Sequence, residues 1–291
     1  MELKLFESPG QLWDEFATRY TDLIFYQSIW SRVLKEGLGG QPLYFYLDEN
    51  GEIITGLPAI LLNFKVFKIL YASIPFGNLI GEKESFHPFM ELLEREFKRL
   101  RIDQVRVVES PFLEPYPLNS YQSILSKWTI LDLKRFNRNE IWGSYKEKVR
   151  RAIRKAKRNG LVVRTLTSPT EVDIFYYLYL SSMERKRAFA KYPRRWFQII
   201  YEFLIKEGKA DILFALKSDQ FTAGVVVIYS PDSLHYFHNG SDRAFLEYRP
   251  NDLIVDYMIQ KGVEEEKAVL DFMGSDPDDT SLIRFKEKWG G

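Results

Sequence analysis

Apolar positions along this chain switch between a helical and a strand-like period, and the same order of switches occurs twice. In the first pass Ser8-Pro9 reads as a helix start, with Leu12, Phe16 and Tyr20 following at steps of four. A second helix is predicted over 28–36. A hairpin follows: strand 43–47, turn Asp48-Glu49-Asn50-Gly51, and strand 53–62 carrying Gly56. Strand 67–74 comes next and is broken by Pro75-Phe76-Gly77-Asn78. Helix 86–101 and strand 104–109 complete the pass, and Pro111, Pro115 and Pro117 mark an irregular loop before an extended stretch over 128–133.

The second pass repeats this order. Ser168-Pro169 opens a helix with Val172 and Tyr179 on its apolar face, and another helix spans 194–206. A hairpin over 212–229 turns at Lys217-Ser218-Asp219-Gln220 and carries Gly224. Strand 234–239, a helix from Pro250-Asn251 to about Lys261, and strand 269–273 follow. Pro9 and Pro169 lie 160 residues apart, Pro88 and Pro250 162, Gly56 and Gly224 168. Such agreement predicts a diverged tandem repeat of one α/β unit. The expected fold is two such units, 1–140 and 141–291, each a mixed, mostly antiparallel sheet flanked by helices.

Between the passes lies WGSYKEKVRRAIRKAKRNGLVVR, residues 142–164. Trp142, Tyr145, Val149, Ala152 or Ile153, and Ala156 fall on one helical face, and Asn159-Gly160 supplies the stop. The other faces carry eight Lys and Arg, including Arg150, Arg151, Arg154 and Lys155, against Glu147 alone. Net charge is +1 overall, yet residues 141–210 hold 17 Lys+Arg and 6 Asp+Glu, so the remainder is acidic. This concentration implies a local anionic ligand: an anionic acceptor substrate, tRNA along the basic helix, or a peripheral membrane contact. As the joint between the units, the helix is expected near an inter-unit cleft.

Composition removes several chemistries. With no Cys there is no disulfide framework, thiolate metal site or cysteine nucleophile, and three His make a histidine-built metal site improbable. Neither a Gly-x-Ser-x-Gly elbow nor a phosphate-binding Walker loop occurs. The acidic loop Asp276, Asp278, Asp279 lacks the glycine and distal glutamate of a calcium loop, so no metal is expected. MELKLFESPG lacks the apolar core of a signal peptide and no apolar run reaches transmembrane length, which leads to the expectation of a soluble cytoplasmic protein.

Several short motifs, in order, carry a resemblance. They are Tyr26-Gln27-Ser28-Ile29-Trp30, Pro75-Phe76-Gly77, the basic helix ending Asn159-Gly160-Leu161, Arg185 and Arg187, Asn239-Gly240-Ser241-Asp242, Pro250-Asn251, Asp271-Phe272-Met273-Gly274, and Phe285-Lys286. Together they resemble the GNAT acyltransferase fold. The doubling is similar to the FemAB-type peptidoglycan-bridge aminoacyltransferases. The resemblance implies an N-acyltransferase that moves an acyl or aminoacyl group to an amine of a cell-wall, polysaccharide or similar anionic acceptor. Its donor would be aminoacyl-tRNA or acyl-CoA, with no tightly bound cofactor. By the same resemblance Phe285-Lys286 lies at the transfer centre, where an ammonium would stabilise the tetrahedral oxyanion. Arg185 or Arg187 would hold acceptor phosphates. Asp271 would position an amine or cap its loop, and His238 is a candidate general base. Trp30, Arg154, Asn239, Ser241, Tyr248 and Asn251 are candidate substrate contacts. One departure stands out: GNAT enzymes precede the helix that cradles coenzyme A with a glycine-bearing loop, whereas this chain has Arg243-Ala244-Phe245-Leu246-Glu247-Tyr248-Arg249. Bulky side chains there would crowd a pyrophosphate. Two rivals follow: an acyl-CoA-dependent acetyltransferase acting on a small or lipid amine, and a non-catalytic module that binds tRNA, an anionic glycan or a membrane.

Overall fold

The structure, a computed structural model, describes residues 2–8, 10–116, 122 and 126–290. Pro9 and Pro117 lie outside them. Chain contacts define two compact units, Met1–Gln122 and Ser123–Gly291.

The first unit runs β1 (Glu2–Phe6), α1 (Gln11–Tyr20), α2 (Ser28–Leu38), β2 (Gln41–Glu49), β3 (Glu52–Asn63), β4 (Lys68–Tyr71), β5 (Ile80–Gly81), α3 (Phe86–Arg99) and β6 (Gln104–Arg106). Its sheet has the order β1-β2-β3-β4-β6, with β5 paired to β3. The second unit runs β7 (Lys127–Asp132), α4 (Ile141–Ser144), α5 (Glu147–Arg158), β8 (Leu161–Thr165), α6 (Glu171–Arg185), α7 (Arg194–Ile200, continued by a π-turn over Tyr201–Ile205) and β9 (Ala210–Lys217). It continues with β10 (Gln220–Tyr229), β11 (Ser233–Ser241), α8 (Pro250–Glu264), β12 (Val269–Ser275) and α9 (Thr280–Glu287). The order of its sheet is β7-β12-β11-β10-β9-β8.

The repeat is visible in this topology. In each unit two helices lead from an edge strand (β1, β8) into a hairpin (β2–β3, β9–β10), and one helix crosses over to a parallel last strand. That last strand is β6 beside β4, and β12 beside β11. The two offset-matched glycines have one cause. A Cβ on Gly56 of β3 would lie 2.7 Å from the Trp13 ring of α1, and one on Gly224 of β10 2.9 Å from the Phe175 ring of α6. In both units an aromatic of the helix that follows the edge strand (α1 after β1, α6 after β8) rests on bare backbone in the middle of the sheet.

Where expectation and structure part, the reason is tertiary. The sequence placed 123–140 with the first unit, but β7 pairs antiparallel with β12 and so completes the second sheet. The strand at Glu2–Phe6 was not anticipated; it pairs with β2 from Glu2↔Asp48 to Phe6↔Tyr44. The strand predicted over 67–74 stops at Tyr71, because Ser73 takes a left-handed backbone (φ 60°). The basic helix is not continuous. Tyr145 and Lys146 are extended (ψ 139° and 148°), which separates α4 from α5. The buried Tyr145 ring packs at 6.3 Å from Phe136 and 5.6 Å from Trp289, and that burial outweighs one lost helical turn.

Candidate active site

The geometry of the second unit turns on where β11 and β12 stop being neighbours. They pair in parallel only from Ser233↔Val269 to His235↔Asp271. Beyond that point β11 stays with β10 as far as Ser241, while β12 goes with β7 through Gly274↔Trp128 and Ser275↔Lys127. Two strands that share a root but follow different partners diverge, leaving a wedge. Each arm is also irregular: the ladder slips between Val226 and Val227 opposite β11, and between Asp271 and Gly274 on β12, where Met273 has φ 64°. Bulges of this kind re-aim side chains next to sites.

The root is a closed polar cluster that sequence inspection did not assemble. His235 and Asp271 are fully buried, and His235 Nδ1 donates to Asp271 Oδ2 at 3.0 Å. Asp271 Oδ1 accepts from Trp128 Nε1 (2.7 Å) and from the Met273 backbone N–H (2.7 Å). His235 Nε2 lies 3.2 Å from Ser230 Oγ and 3.0 Å from Ser233 Oγ. These bonds staple β7, β11 and β12 together where the strands part. Asp271 therefore caps its own loop and turns no free oxygen towards a substrate amine. No local signal revealed this cluster, because His235 and Asp271 are 36 residues apart and meet only through the parallel register.

Lys286 defines the β12 arm. Its helix α9 is N-capped by Asp279, which accepts from Leu282 N–H at 3.0 Å. The Lys286 ammonium, 3% exposed, donates to Met273 O (2.9 Å), Gly274 O (3.0 Å) and Ser275 Oγ (2.8 Å). All three of its protons are engaged at the irregular end of β12. Burial pushes its pKa down to about 8 against the pull of Asp271, so the cation remains the major form at neutral pH. Phe285 is partly buried against the core, with Lys288 Nζ 4.2 Å from its ring centroid.

The β11 arm holds Ser241 and, through it, Arg185. Ser241 N–H donates to Ser182 Oγ (2.9 Å) and Arg185 Nη1 donates to Ser241 O (3.2 Å). This contact needs Gly240: a Cβ there would lie 2.4 Å from Tyr179 N and 2.5 Å from Leu178 C, so α6 rests directly on β11. Lys186 reaches Asp279 at 3.4 Å and its charge bears on Lys286, which brings the end of α6 beside the start of α9. Arg187 is exposed with φ 51° just past α6 and does not join the Ser182–Ser241 cluster. Asn239 is half-buried in β11 opposite Val225.

The start of α8 is crowded. Arg249 occupies a left-handed conformation (φ 66°), and Pro250 is the first helical residue. Asn251 Oδ1 is buried without a hydrogen-bond partner among the described residues. Asp252, in the first turn, pairs with Lys288. Tyr248 lies under Lys217 at 4.1 Å.

Two expected contacts lie elsewhere, and the candidate base on β11 is already engaged. Trp30 is fully buried in the first unit, its ring edge-on to Phe25 at 5.0 Å and its Nε1 donating to Ile74 O, so no substrate reaches it. Arg154 is engaged within its own helix region, with Glu147 at 3.1 Å and the Trp142 ring at 5.6 Å. His238 Nε2 accepts from Trp196 Nε1 at 2.9 Å among the rings of Tyr192 and Phe237, and burial pushes its pKa down to about 3. A neutral imidazole whose acceptor nitrogen is already occupied is a poor general base.

In the first unit the corresponding place is filled by its own chain. Gly77 N–H donates to Val108 O (2.9 Å), Asn78 N–H to the Tyr26 hydroxyl (2.7 Å), and Ser110 N–H to Asn78 Oδ1 (2.5 Å). A Cβ on Gly77 would fall 1.9 Å from Ala72 O.

With this geometry the comparisons with known proteins agree. Residues 143–287 match the family model of the acetyltransferase (GNAT) domain. The crystal structure of FemX superposes with TM-score 0.70 at 14% identity, covering 100% of this chain and 94% of FemX. A tandem GNAT protein from the clavulanic acid biosynthesis pathway superposes with TM-score 0.62 at 12% identity, covering 99% of this chain and 94% of the other. No curated protein matches the sequence. The second unit thus carries a GNAT domain. The chain as a whole has a tandem-GNAT fold like that of FemX and of the tandem GNAT protein.

Proposed function

We propose that the second unit transfers an acyl or aminoacyl group from an activated donor to an amine of an anionic acceptor, of the cell-wall or polysaccharide class. The observation that carries this reading is the buried Lys286 ammonium at the mouth of the β11–β12 wedge. The amine nitrogen would attack the donor carbonyl carbon, and the carbonyl electrons would pass to oxygen. The resulting oxyanion would collapse as the bond to the leaving group breaks. Lys286 would meet the oxyanion by exchanging its bond to Ser275 Oγ, an exchange that leaves both backbone carbonyls held. The amine proton would leave to an acceptor phosphate or to solvent, since Asp271 is sealed and His238 is occupied. Arg185, Arg187 and Lys186 supply positive charge beside the same end for the acceptor's anionic groups.

The start of α8 favours aminoacyl-tRNA over coenzyme A. Arg249 stands where a pyrophosphate cradle requires bare backbone, and the Asp252 carboxylate already occupies the positive end of the helix. Thermal unfolding with acetyl-CoA, an aminoacyl-tRNA analogue and a UDP-linked muropeptide tests the reading. A ligand at about 100 times its Kd adds about 2.7 kcal/mol, a shift of several degrees. Stabilisation by the tRNA analogue or the muropeptide is the expected result. A shift with acetyl-CoA alone would support the acyl-CoA enzyme of small or lipid amines, and no shift with any of the three would contradict the proposal.

A further inference from the structure

The first unit carries an apolar point that its core does not use. Phe64 N–H donates to Phe67 O (2.9 Å) and Phe67 N–H to Phe64 O (3.2 Å), closing the β3–β4 hairpin on the two residues Lys65 and Val66. The Phe64 and Phe67 rings stack on each other at 4.9 Å and 26°. Yet Phe64 is 47% exposed, Phe67 42% and Val66 89%. Three large apolar side chains on one projecting turn are unlike singly scattered surface residues.

Cations surround this point. Lys68 Nζ donates to Leu100 O (3.0 Å) and its N–H to Asp103 Oδ2 (2.7 Å), fastening the C-terminal end of α3 beside the hairpin. Residues 64–68 and 96–103 together hold five Lys and Arg against two acids, and one of those acids, Glu96, is committed to Arg99. Residues 1–122 as a whole hold 12 Lys+Arg against 17 Asp+Glu, so the positive charge gathers at the apolar point of an otherwise acidic unit.

We infer that this hairpin docks on an anionic lipid bilayer. Phe64, Val66 and Phe67 enter the boundary between headgroups and acyl chains, while Lys65, Lys68, Lys98 and Arg101 meet lipid phosphates. A nucleic acid would use the cations and ring faces but leave Val66, the most exposed of the three, without a partner. The inference concerns the first unit alone and stands or falls apart from the transfer chemistry of the second.

Flotation of the full chain with phosphatidylcholine–phosphatidylglycerol vesicles, and with phosphatidylcholine alone, tests it. The wild type is expected to float with the anionic vesicles only. Phe64→Ser/Phe67→Ser should lower partitioning on the order of tenfold or more. Neutralising Lys65 and Arg101 to Gln should lower it about fivefold per cation. Because these side chains are exposed, the melting temperature should not move, which separates lost docking from lost folding. Failure of the wild type to bind anionic vesicles would overturn the inference. So would undiminished binding of the double Phe variant, which would assign the attraction to charge elsewhere, or a single-stranded RNA complex that the same double substitution abolishes.

Discussion

Replacing Lys286 by Met is expected to lower the rate of acyl transfer by about 100- to 1000-fold, the usual effect of removing one oxyanion donor. Met keeps much of the side-chain length and all of the packing against β12, so the loss would report charge. Unfolding the same variant provides an internal control with a defined sign. The Lys286 pKa falls from 10.5 unfolded to about 8 folded, so between those values the unfolded chain binds more protons. Wild-type stability should therefore rise with pH across that window, by roughly 3 kcal/mol if the whole shift is realised, as the buried cation is relieved. Lys286→Met should lack this rise. A variant that loses the pH slope but retains full transfer would make Lys286 a cap for the Met273 and Gly274 carbonyls and nothing more.

Asp271→Ala should cost about 3–5 kcal/mol of stability, measured by urea unfolding. The carboxylate satisfies Trp128 Nε1, the Met273 N–H and His235 Nδ1 in a place water does not reach, and alanine strands all three donors. Asp276→Ala, on the exposed loop four residues beyond the Met273 kink's start at Phe272, should change stability by no more than about 0.5 kcal/mol. Equal effects at the two positions would mean that the polar root does not hold β7, β11 and β12 together.

Much of the fold was legible because local chemistry and global topology agree. The repeat announced itself through proline at helix starts and through Gly56 and Gly224, whose role the structure traces to Trp13 and Phe175. Arg185 and Lys286 were singled out through resemblance, and both border the wedge. What stayed illegible depends on partners distant in sequence. Tyr145 breaks the basic helix for the sake of Trp289, 144 positions later. His235 becomes part of a stapled root only once β12 lies parallel to β11. Periodicity cannot report that β11 and β12 choose different neighbours beyond Asp271, although that choice creates the opening. Trp30 shows the converse failure: nothing in the residues around it distinguishes a contact surface from the core position it occupies.

The central claim is a location, and hydrogen exchange with a bound substrate measures location. With the ligand that stabilises the chain most, amides of 236–241, 272–275 and the first turn of α8 should gain protection, while 72–78 in the first unit should not. Protection confined to the first unit, or to the exposed face of α5, would contradict a transfer centre in the wedge between β11 and β12.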